Sequence, residues 1–346
     1  MRRSVRRSDQ PEARRYRVSV MTRVSVCVAT VRPTTLGATI AAILRQTWTD
    51  WELIVVGQGD ADPLSRAVEE ASGGDARVRY LHADRYGLSA ARNVALRSAS
   101  GDIFACTDDD CEARPDWLAV VTACFDADPG LGLVGGSLLA PRPAKRWVPS
   151  SCLSVTPAEV IHDTAITPPP APPGFSCVGG NLVLRREAAE RTGRFDELLG
   201  AGARFLSGED TDYLHRLEEA GVKMMSTPRS VVFHTYGRRY GWRQMPRYWH
   251  GQGTGHGALC AKLTLRGDPR GSDEISNLIR KYLTQWMGTR EPGRLPRARE
   301  IEMGRALSDP IRLASALSTY RRCLREYRID GEGLLRPRAA PAPQHP

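Results

Sequence analysis

Residues 103–110 read IFACTDDD, an apolar run that ends in three consecutive aspartates. A short apolar run bounded by turn-forming residues is typical of a buried strand. Carboxylates clustered at its end repel one another and are costly to desolvate, so they favour a cation partner. Oxygen ligands suit Mg²⁺ or Mn²⁺, ions that also contact substrate phosphates. The run therefore predicts a metal site at a sheet edge, with a solvated acidic turn as the alternative.

The segments before the aspartates alternate between strand and helix patterns. We predict strands and helices in turn at residues 24–29, 35–46, 52–56, 63–71, 78–81, 89–98 and 103–107. This order predicts an α/β fold, Rossmann-like, in which a mostly parallel central sheet carries helices on both faces. Ligands of such sheets bind beyond the carboxyl ends of the strands. Residues 30–32, 57–60 and 108–110 follow three of these strands, so we expect them at one crevice.

The second half of the chain is more irregular. We predict further elements as helix 115–125, strand 131–139, a proline-rich loop or lid at 140–174, strand 177–184, helices 186–192 and 210–220, and strand 231–234. The domain organisation expected is a disordered basic arm at 1–21, one domain at 22–240 with a nucleotide-binding half (22–112) and an acceptor-binding half (113–240), a helical C-terminal region at 241–335, and a disordered tail at 336–346. Met21 is an alternative translation start.

Composition narrows the class of protein. The 346 residues are 41% hydrophobic and 25% charged, as in ordinary globular proteins. Apolar runs fall short of the roughly 20 residues of a membrane-spanning helix. The net charge of +10 lies largely in the chain ends and residues 238–247. The sequence contains no recognisable nucleic-acid-binding module, which argues against nucleic acid as the partner. The positive charge leaves open a peripheral contact with an anionic membrane.

The cysteines bear on the compartment. The eight cysteines show no Cys-x-x-Cys pair and no zinc spacing, which favours reduced thiols. We therefore expect a cytoplasmic protein, with any membrane contact at the inner face. The abundance of arginine and alanine is typical of bacteria with GC-rich DNA.

Three further motifs each allow a structural and a functional interpretation. Residues 208–212, GEDTD, open a helix whose macrodipole favours acidic residues, or they supply a carboxylate base. His234 ends an apolar strand and is either a core histidine or a metal ligand. Residues 179–181, GGN, form a tight turn or allow the backbone to approach a sugar closely.

Taken in order, these segments resemble family 2 glycosyltransferases with the GT-A fold, the nucleotide-diphospho-sugar transferase type. The segments that carry the resemblance are VSVCVAT at 24–30, QTWTDWELIVV at 46–56, GLSAARN at 87–93, TDDD at 107–110, GGN at 179–181, RFD at 194–196 and GEDTD at 208–212. The resemblance as a whole extends over residues 22–236. No single piece is decisive, but seven in this order are a specific signal.

The resemblance implies a role for each matching residue. Asp108 and Asp110, with His234, would hold Mn²⁺ or Mg²⁺ on the donor's diphosphate. The residues expected at the donor nucleotide are Thr30, Arg32, Gln58, Arg92, Asp108 and Asp109. Asp210, in preference to Glu209, is expected to be the general base. Gly179, Gly180 and Asn181 are expected near the acceptor sugar. Outside the matching segments, Trp242 offers a flat ring on which a sugar could stack.

One departure from the family pattern concerns the donor base. Many members end the second strand with Asp-Asp-Gly-Ser, whereas this chain has GQGD at 57–60. The amide of Gln58 can donate and accept, so it could pair with an imide edge. The presumption of uridine is nevertheless weakened, and the donor is a UDP, dTDP or GDP type.

The resemblance implies a metal-dependent, inverting, hexosyltransferase-like enzyme. It would move a sugar from a nucleoside-diphosphate sugar to a hydroxyl of an acceptor glycan, lipid or natural product. Two alternatives stay open. A sugar nucleotidyltransferase would need a glycine-rich phosphate loop near the first strand, and residues 31–34, VRPT, lack one. A non-catalytic nucleotide-sugar binding protein would use the same crevice without turnover.

Overall fold

The protein has a mixed α/β architecture, as predicted. The structure, a computed structural model, describes residues 22–140, 154–234, 245–286 and 299–338. Within these ranges a nine-stranded sheet carries helices on both faces, and a helical region follows it. The predicted arm at 1–21, Trp242 and most of the basic segment, part of the 140–174 loop and the last eight residues lie outside the described residues.

The first half alternates strand and helix along the chain. Its elements are β1 (Val24–Thr30), α1 (Pro33–Leu44), β2 (Trp51–Gly57), α2 (Ala61–Ser72), β3 (Val78–His82), α3 (Leu88–Ser98) and β4 (Ile103–Asp108). Pro33 occupies the first turn of α1, where its missing N–H costs no hydrogen bond. Asp60 caps α2 by accepting from the Asp62 backbone N–H. The four strands lie parallel in the order β3-β2-β1-β4, so their carboxyl ends share one edge.

The second half completes the sheet. Its elements are β5 (Glu112–Ala113), α4 (Trp117–Ala127), β6 (Leu131–Leu139), β7 (Val160–His162), β8 (Leu182–Arg185), α5 (Arg186–Thr192), α6 (Glu209–Glu219) and β9 (Lys223–Phe233). The sheet continues from β4 as β8-β6-β9-β5, and β7 also pairs with β9. Strand β8 runs antiparallel to β4 and to β6, whereas β6 and β9 are parallel.

Three elements differ from the sequence predictions. Residues 179–181 form a single 3₁₀ turn, closed by the Asn181 N–H to the Val178 carbonyl, and the strand begins only at Leu182. Strand β9 begins at Lys223 instead of residue 231, because a register shift around Pro228 interrupts its pattern. The predicted loop contains β7, whose three residues are too few to give a periodicity.

The two faces of the sheet bury separate apolar clusters. One cluster packs α1 and α4 against the sheet, with Ile40 and Trp117 fully buried. The other packs α3, α5 and α6 against the opposite face, with Ala91 and Leu217 fully buried. Because both faces are covered, the central strands are mostly apolar, and the candidate polar site lies at the sheet edge.

The C-terminal region adds three helices and a small hairpin. They are α7 (Met245–Leu265), α8 (Arg270–Trp286), α9 (Arg299–Glu326), β10 (Tyr327–Ile329) and β11 (Leu335–Pro337). The disorder predicted from residue 336 is therefore wrong for β11. Leu335 is fully buried and its N–H donates to Asp196 at 2.8 Å, contacts that sequence periodicity does not reveal. None of the helices in the described ranges has the length and apolar composition needed to cross a membrane.

A buried ionic network joins α7 to α6. The Lys262 Nζ atom lies 2.8 Å from Asp196 Oδ2 and 2.6 Å from Asp212 Oδ1. Arg216 Nε contacts the other oxygen of Asp212 at 3.0 Å. Burial alone would raise the pKa of Asp212, but Lys262 and Arg216 outweigh it and lower the pKa below its usual value. The network fixes the helix that begins with the acidic GEDTD motif.

Replacing Lys262 tests this network. We expect Lys262→Met to lower the free energy of unfolding by about 3–5 kcal/mol, because Asp196 would stay buried without its cation and Asp212 would keep only Arg216. The control, Lys223→Met, removes a more exposed pair with Asp128, and we expect a much smaller loss because solvent screens that pair. Urea unfolding of both variants measures the difference. Equal losses would contradict a structural role for the network.

Candidate active site

The ends of β1 and β4 meet at the predicted crevice. The Thr30 hydroxyl donates to Asp109 Oδ2 at 2.7 Å. Arg32 donates from Nη2 to Asp109 Oδ1 at 2.8 Å and lies 3.6 Å from Asp110 Oδ2. Asp109 is thereby held toward the end of β1, which leaves Asp108 as the most exposed carboxylate of the three, with 31% of its side chain accessible.

Arg92 lies between the two acidic motifs. Its guanidinium, carried by α3, is only 2% exposed. Nη2 lies 3.3 Å from Asp108 Oδ1, and Nη1 lies 3.3 Å from Glu209 Oε1. A buried charge is stable only when it is paired, so Arg92 and these two carboxylates stabilise one another. The end of β4 and the start of α6 therefore belong to one site.

The glycines of residues 179–181 allow this close approach. A Cβ atom on Gly179 would lie 2.6 Å from Arg92 Nη2, and one on Gly180 would lie 3.0 Å from Asp108 Oδ2. The Gly179 N–H donates to Asp210 Oδ2 at 3.1 Å. The turn thus packs its backbone against the arginine and both acidic motifs, which a side chain at residue 179 would prevent.

Two carboxylates of the site, Glu209 and Asp108, lie in an environment that disfavours their charged forms. Burial raises the pKa of Glu209 to about 7, with repulsion from Asp210 adding to it and Arg92 partly opposing it. Burial likewise raises the pKa of Asp108, which Arg92 opposes and Asp110 reinforces. An additional cation would relieve this excess of negative charge.

The donor atoms at the crevice fit a divalent cation of the Mn²⁺ or Mg²⁺ type. His234, directly after β9, places Nε2 at 3.1 Å from Asp110 Oδ1. Cys111 Sγ belongs to the same group, in which all ligand atoms lie within 4.8 Å of one another. Burial raises the pKa of Cys111 well above its usual value, and a soft sulfur ligand suits neither Mn²⁺ nor Mg²⁺. Oxygen and imidazole ligands remain.

The side-chain amides of two predicted site residues form hydrogen bonds within the protein. The Gln58 amide donates to the carbonyls of Arg85 and Gly87, and its oxygen accepts from the Gly87 N–H. The Asn181 oxygen accepts from Trp117 Nε1 and the Ser230 hydroxyl, while its amide donates to two backbone carbonyls. Gln58 fixes the loop before α3 and Asn181 fixes the 3₁₀ turn, so neither offers its amide to a ligand here.

Sequence analysis missed two residues near the site. Cys111 follows the aspartates directly, a position that could have identified it. Tyr86 is 59% exposed, and its hydroxyl lies 2.8 Å from where a Cβ of Gly59 would be. An exposed aromatic ring at the ends of β2 and β3 was not evident from pattern alone, because its exposure depends on how the loop folds.

Adding a methyl group to the glycine turn tests its packing. We expect Gly179→Ala to lower the free energy of unfolding by about 1–3 kcal/mol, since the buried Arg92 cannot move aside freely. Gly37 in α1 has no atom within 4 Å of its Cβ position, so Gly37→Ala should stabilise by about 0.5–1 kcal/mol. Thermal unfolding compares the two variants. An unchanged stability for Gly179→Ala would contradict the tight contact.

The raised pKa of Glu209 predicts a pH dependence of stability. Between its ordinary pKa of 4.5 and about 7, the folded state binds a proton that the unfolded state releases. The stabilisation is therefore complete below pH 4.5 and is lost as the pH rises through 7. Relative to Glu209→Gln, the free energy of unfolding of the wild type should fall by roughly 1–3 kcal/mol between pH 5 and 8 in metal-free buffer.

Chemical unfolding at several pH values measures this difference. Glu219→Gln, at the exposed end of the same helix, is the control and should follow the wild-type curve. Parallel curves for the wild type and Glu209→Gln would show that Glu209 titrates normally.

Comparisons with known proteins show which proteins this chain resembles. Residues 25–193 match the family model "Glycosyl transferase family 2". The chain is 22% identical over 246 residues to a glucosyl-dolichyl phosphate glucuronosyltransferase of Haloferax volcanii, covering 66% of this chain and 75% of that protein. It is 28% identical over 222 residues to a pre-mycofactocin glycosyltransferase of Mycobacterium tuberculosis, covering 62% of this chain but only 42% of that protein.

A solved structure supports the fold. The mannosyltransferase PcManGT from Pyrobaculum calidifontis, in complex with GDP-Man and Mn²⁺, superposes with a TM-score of 0.54 at 19% identity, covering 86% of this chain and 87% of that one. The sheet order described above and this likeness confirm the predicted GT-A fold. The family match and the relatives support a glycosyltransferase of family 2.

Proposed function

We propose that this glycosyltransferase is metal-dependent and inverting, and that it uses a nucleoside-diphosphate sugar as donor. The observation that carries the proposal is the position of Arg92, which lies 3.3 Å from both Asp108 and Glu209. It brings the residues expected at the donor diphosphate and those expected at the acceptor hydroxyl into one site. A transfer reaction needs both sets of groups within reach of one anomeric carbon.

Asp108, Asp110 and His234 are the residues that would hold the cation. A Mn²⁺ or Mg²⁺ ion bound there would supply Lewis-acid stabilisation of the charge that develops on the departing diphosphate. The raised pKa of Asp108 and the 3.1 Å contact between His234 and Asp110 support this assignment. The mannosyltransferase of similar fold contains Mn²⁺. Arg92 would keep the Asp108 carboxylate oriented, and Arg32 adds positive charge at the rim.

Asp210 is the carboxylate best suited to act as general base. It is half-buried, and its Oδ2 accepts from the Gly179 N–H. Glu209 is buried and paired with Arg92, so we assign it a positioning role. An acceptor hydroxyl beside Asp210 would lose its proton as its oxygen attacks the anomeric carbon. Attack from the face opposite the leaving diphosphate inverts the configuration.

The donor and the acceptor are proposed by class. The similar mannosyltransferase binds GDP-Man, and a donor of the UDP, dTDP or GDP type suits the same crevice. Because Gln58 is engaged internally, the exposed ring of Tyr86 is the better candidate for contact with the base. Gly179 and Gly180 present backbone to the acceptor side. A cytoplasmic site of action, at the inner face of the membrane, remains part of the proposal.

Turnover of a donor panel tests the proposed function. Purified protein is incubated with nucleoside-diphosphate sugars and Mn²⁺ or Mg²⁺, and release of the nucleoside diphosphate is followed. We expect Asp210→Asn to lower kcat by about 10²–10⁴-fold without weakening donor binding, because only the proton acceptor is lost. Glu219→Gln, on the same helix, should retain wild-type turnover.

Two outcomes would count against the proposal. If Asp210→Asn turned over donor at the wild-type rate, the base would lie elsewhere. If no donor were turned over with either ion, the non-catalytic interpretation would gain support.

A further inference from the structure

A cavity of about 290 Å³ lies among α7, α9 and the loop that leads into α6. None of its lining residues belongs to the site described above. The residues that line it are Arg204, Leu206, His250, Thr254, Ser315, Ser318, Thr319 and Arg322. Two are arginines, one is a histidine and four carry hydroxyl groups, while no carboxylate is among them. The cavity is therefore positively charged and rich in hydrogen-bond donors.

Neither guanidinium group, that of Arg204 or that of Arg322, has a carboxylate within ion-pair distance in the part of the chain that the structure describes. The Arg322 Nε atom is buried and has no hydrogen-bond partner in that part of the chain. Leaving a buried donor unsatisfied costs about 1–3 kcal/mol, more for a charged group. Such a cost is expected where a ligand supplies the acceptor.

The hydroxyl-bearing wall is rigid. Thr254, Ser315 and Thr319 are each less than 10% exposed. The Ser315 hydroxyl lies 2.8 Å from His250 Nδ1, and the Thr254 hydroxyl donates to the Gly251 carbonyl. Two guanidinium groups and the hydroxyl-bearing side chains line one cavity, and such charged donors suit the tetrahedral oxygens of a phosphate group. The planar carboxylate has only two oxygens and would leave part of this donor set unused.

The cavity is close to the proposed base. The Ser207 hydroxyl donates to the Gly251 carbonyl of α7, and Gly208 faces the Gly255 carbonyl one turn further on. Leu206 lines the cavity and precedes Asp210 by four residues, which can span at most about 14 Å. A group in the cavity and a hydroxyl at Asp210 could therefore belong to one acceptor molecule.

We propose that this cavity binds a phosphate group carried by the acceptor. The acceptor is then a phosphorylated compound, either a small sugar phosphate or a lipid phosphate. Its assignment to the acceptor rests on the proposed function, whereas binding of phosphate by the cavity does not. The two parts are tested separately.

Calorimetric titrations test binding of the phosphate. Inorganic phosphate, geranyl phosphate and the carboxylate geranate are added to the full chain in EDTA, which removes the cation that the donor site needs. We expect both phosphates to bind, and Arg204→Gln and Arg322→Gln each to weaken binding at least about tenfold, since each removes a charge-assisted pair. Arg321→Gln, exposed on the same helix, should bind like the wild type.

The phosphate source follows from the same titrations. Geranyl phosphate binding at least about tenfold tighter than inorganic phosphate would support a lipid source, and equal affinities would support a small phosphorylated molecule. No binding of either phosphate would overturn the proposal. So would geranate binding as tightly as geranyl phosphate, or unchanged affinity in Arg204→Gln, an exposed residue whose replacement should not disturb folding.

Turnover separates the acceptor role from the proposed function. With a donor that is turned over, Arg204→Gln and Arg322→Gln should lower kcat/KM for a phosphorylated acceptor while leaving hydrolysis of the donor by water unchanged. Equal kcat/KM in wild type and both variants would overturn the acceptor assignment. If no donor is turned over at all, the proposed function fails while the titrations still decide the phosphate site.

Discussion

The buried guanidinium of Arg92 is the constraint on which the site depends. It is charged, almost inaccessible to water, and paired with one carboxylate from β4 and one from α6. Because a buried charge without partners is costly, the end of the central strand and the start of the acidic helix cannot separate. The Gly179–Gly180 turn packs against the same group. The segments proposed to bind the metal and to supply the base are thereby held by one interaction.

The C-terminal region contributes to this arrangement through α6. Lys262 on α7 pairs with Asp212 on α6 and with Asp196, which also accepts from the backbone of β11. The helix that carries Asp210 is thus fixed on one side by Arg92 and on the other by Lys262. A helix held by two independent contacts keeps the proposed base in place with little reorganisation. The helical region therefore supports the position of the proposed base.

Sequence patterns predicted which segments meet at the sheet edge, but not how the individual side chains there form hydrogen bonds. The apolar run before Asp108 and the alternation of elements were enough to place β1, β4 and the aspartates at one edge, because parallel strands share their carboxyl ends. The roles of Gln58 and Asn181 were not predictable, since their amides are used by distant backbone groups. Strand β9 was shortened in the prediction because a register shift around Pro228 interrupts its pattern, next to the buried polar residues Ser226 and Thr227. Such features depend on tertiary contacts, not on local pattern.

Calorimetric titration of nucleoside diphosphates with and without Mn²⁺ tests the central claim most directly, because it reports the donor and the cation together. We expect at least one nucleoside diphosphate to bind only with the ion present. Asp108→Asn should weaken that binding by at least about tenfold. The control is Asp116→Asn, at a half-exposed aspartate that follows the three aspartates in the chain, and it should leave the binding unchanged. Binding that is independent of the ion and unchanged in Asp108→Asn would contradict the account.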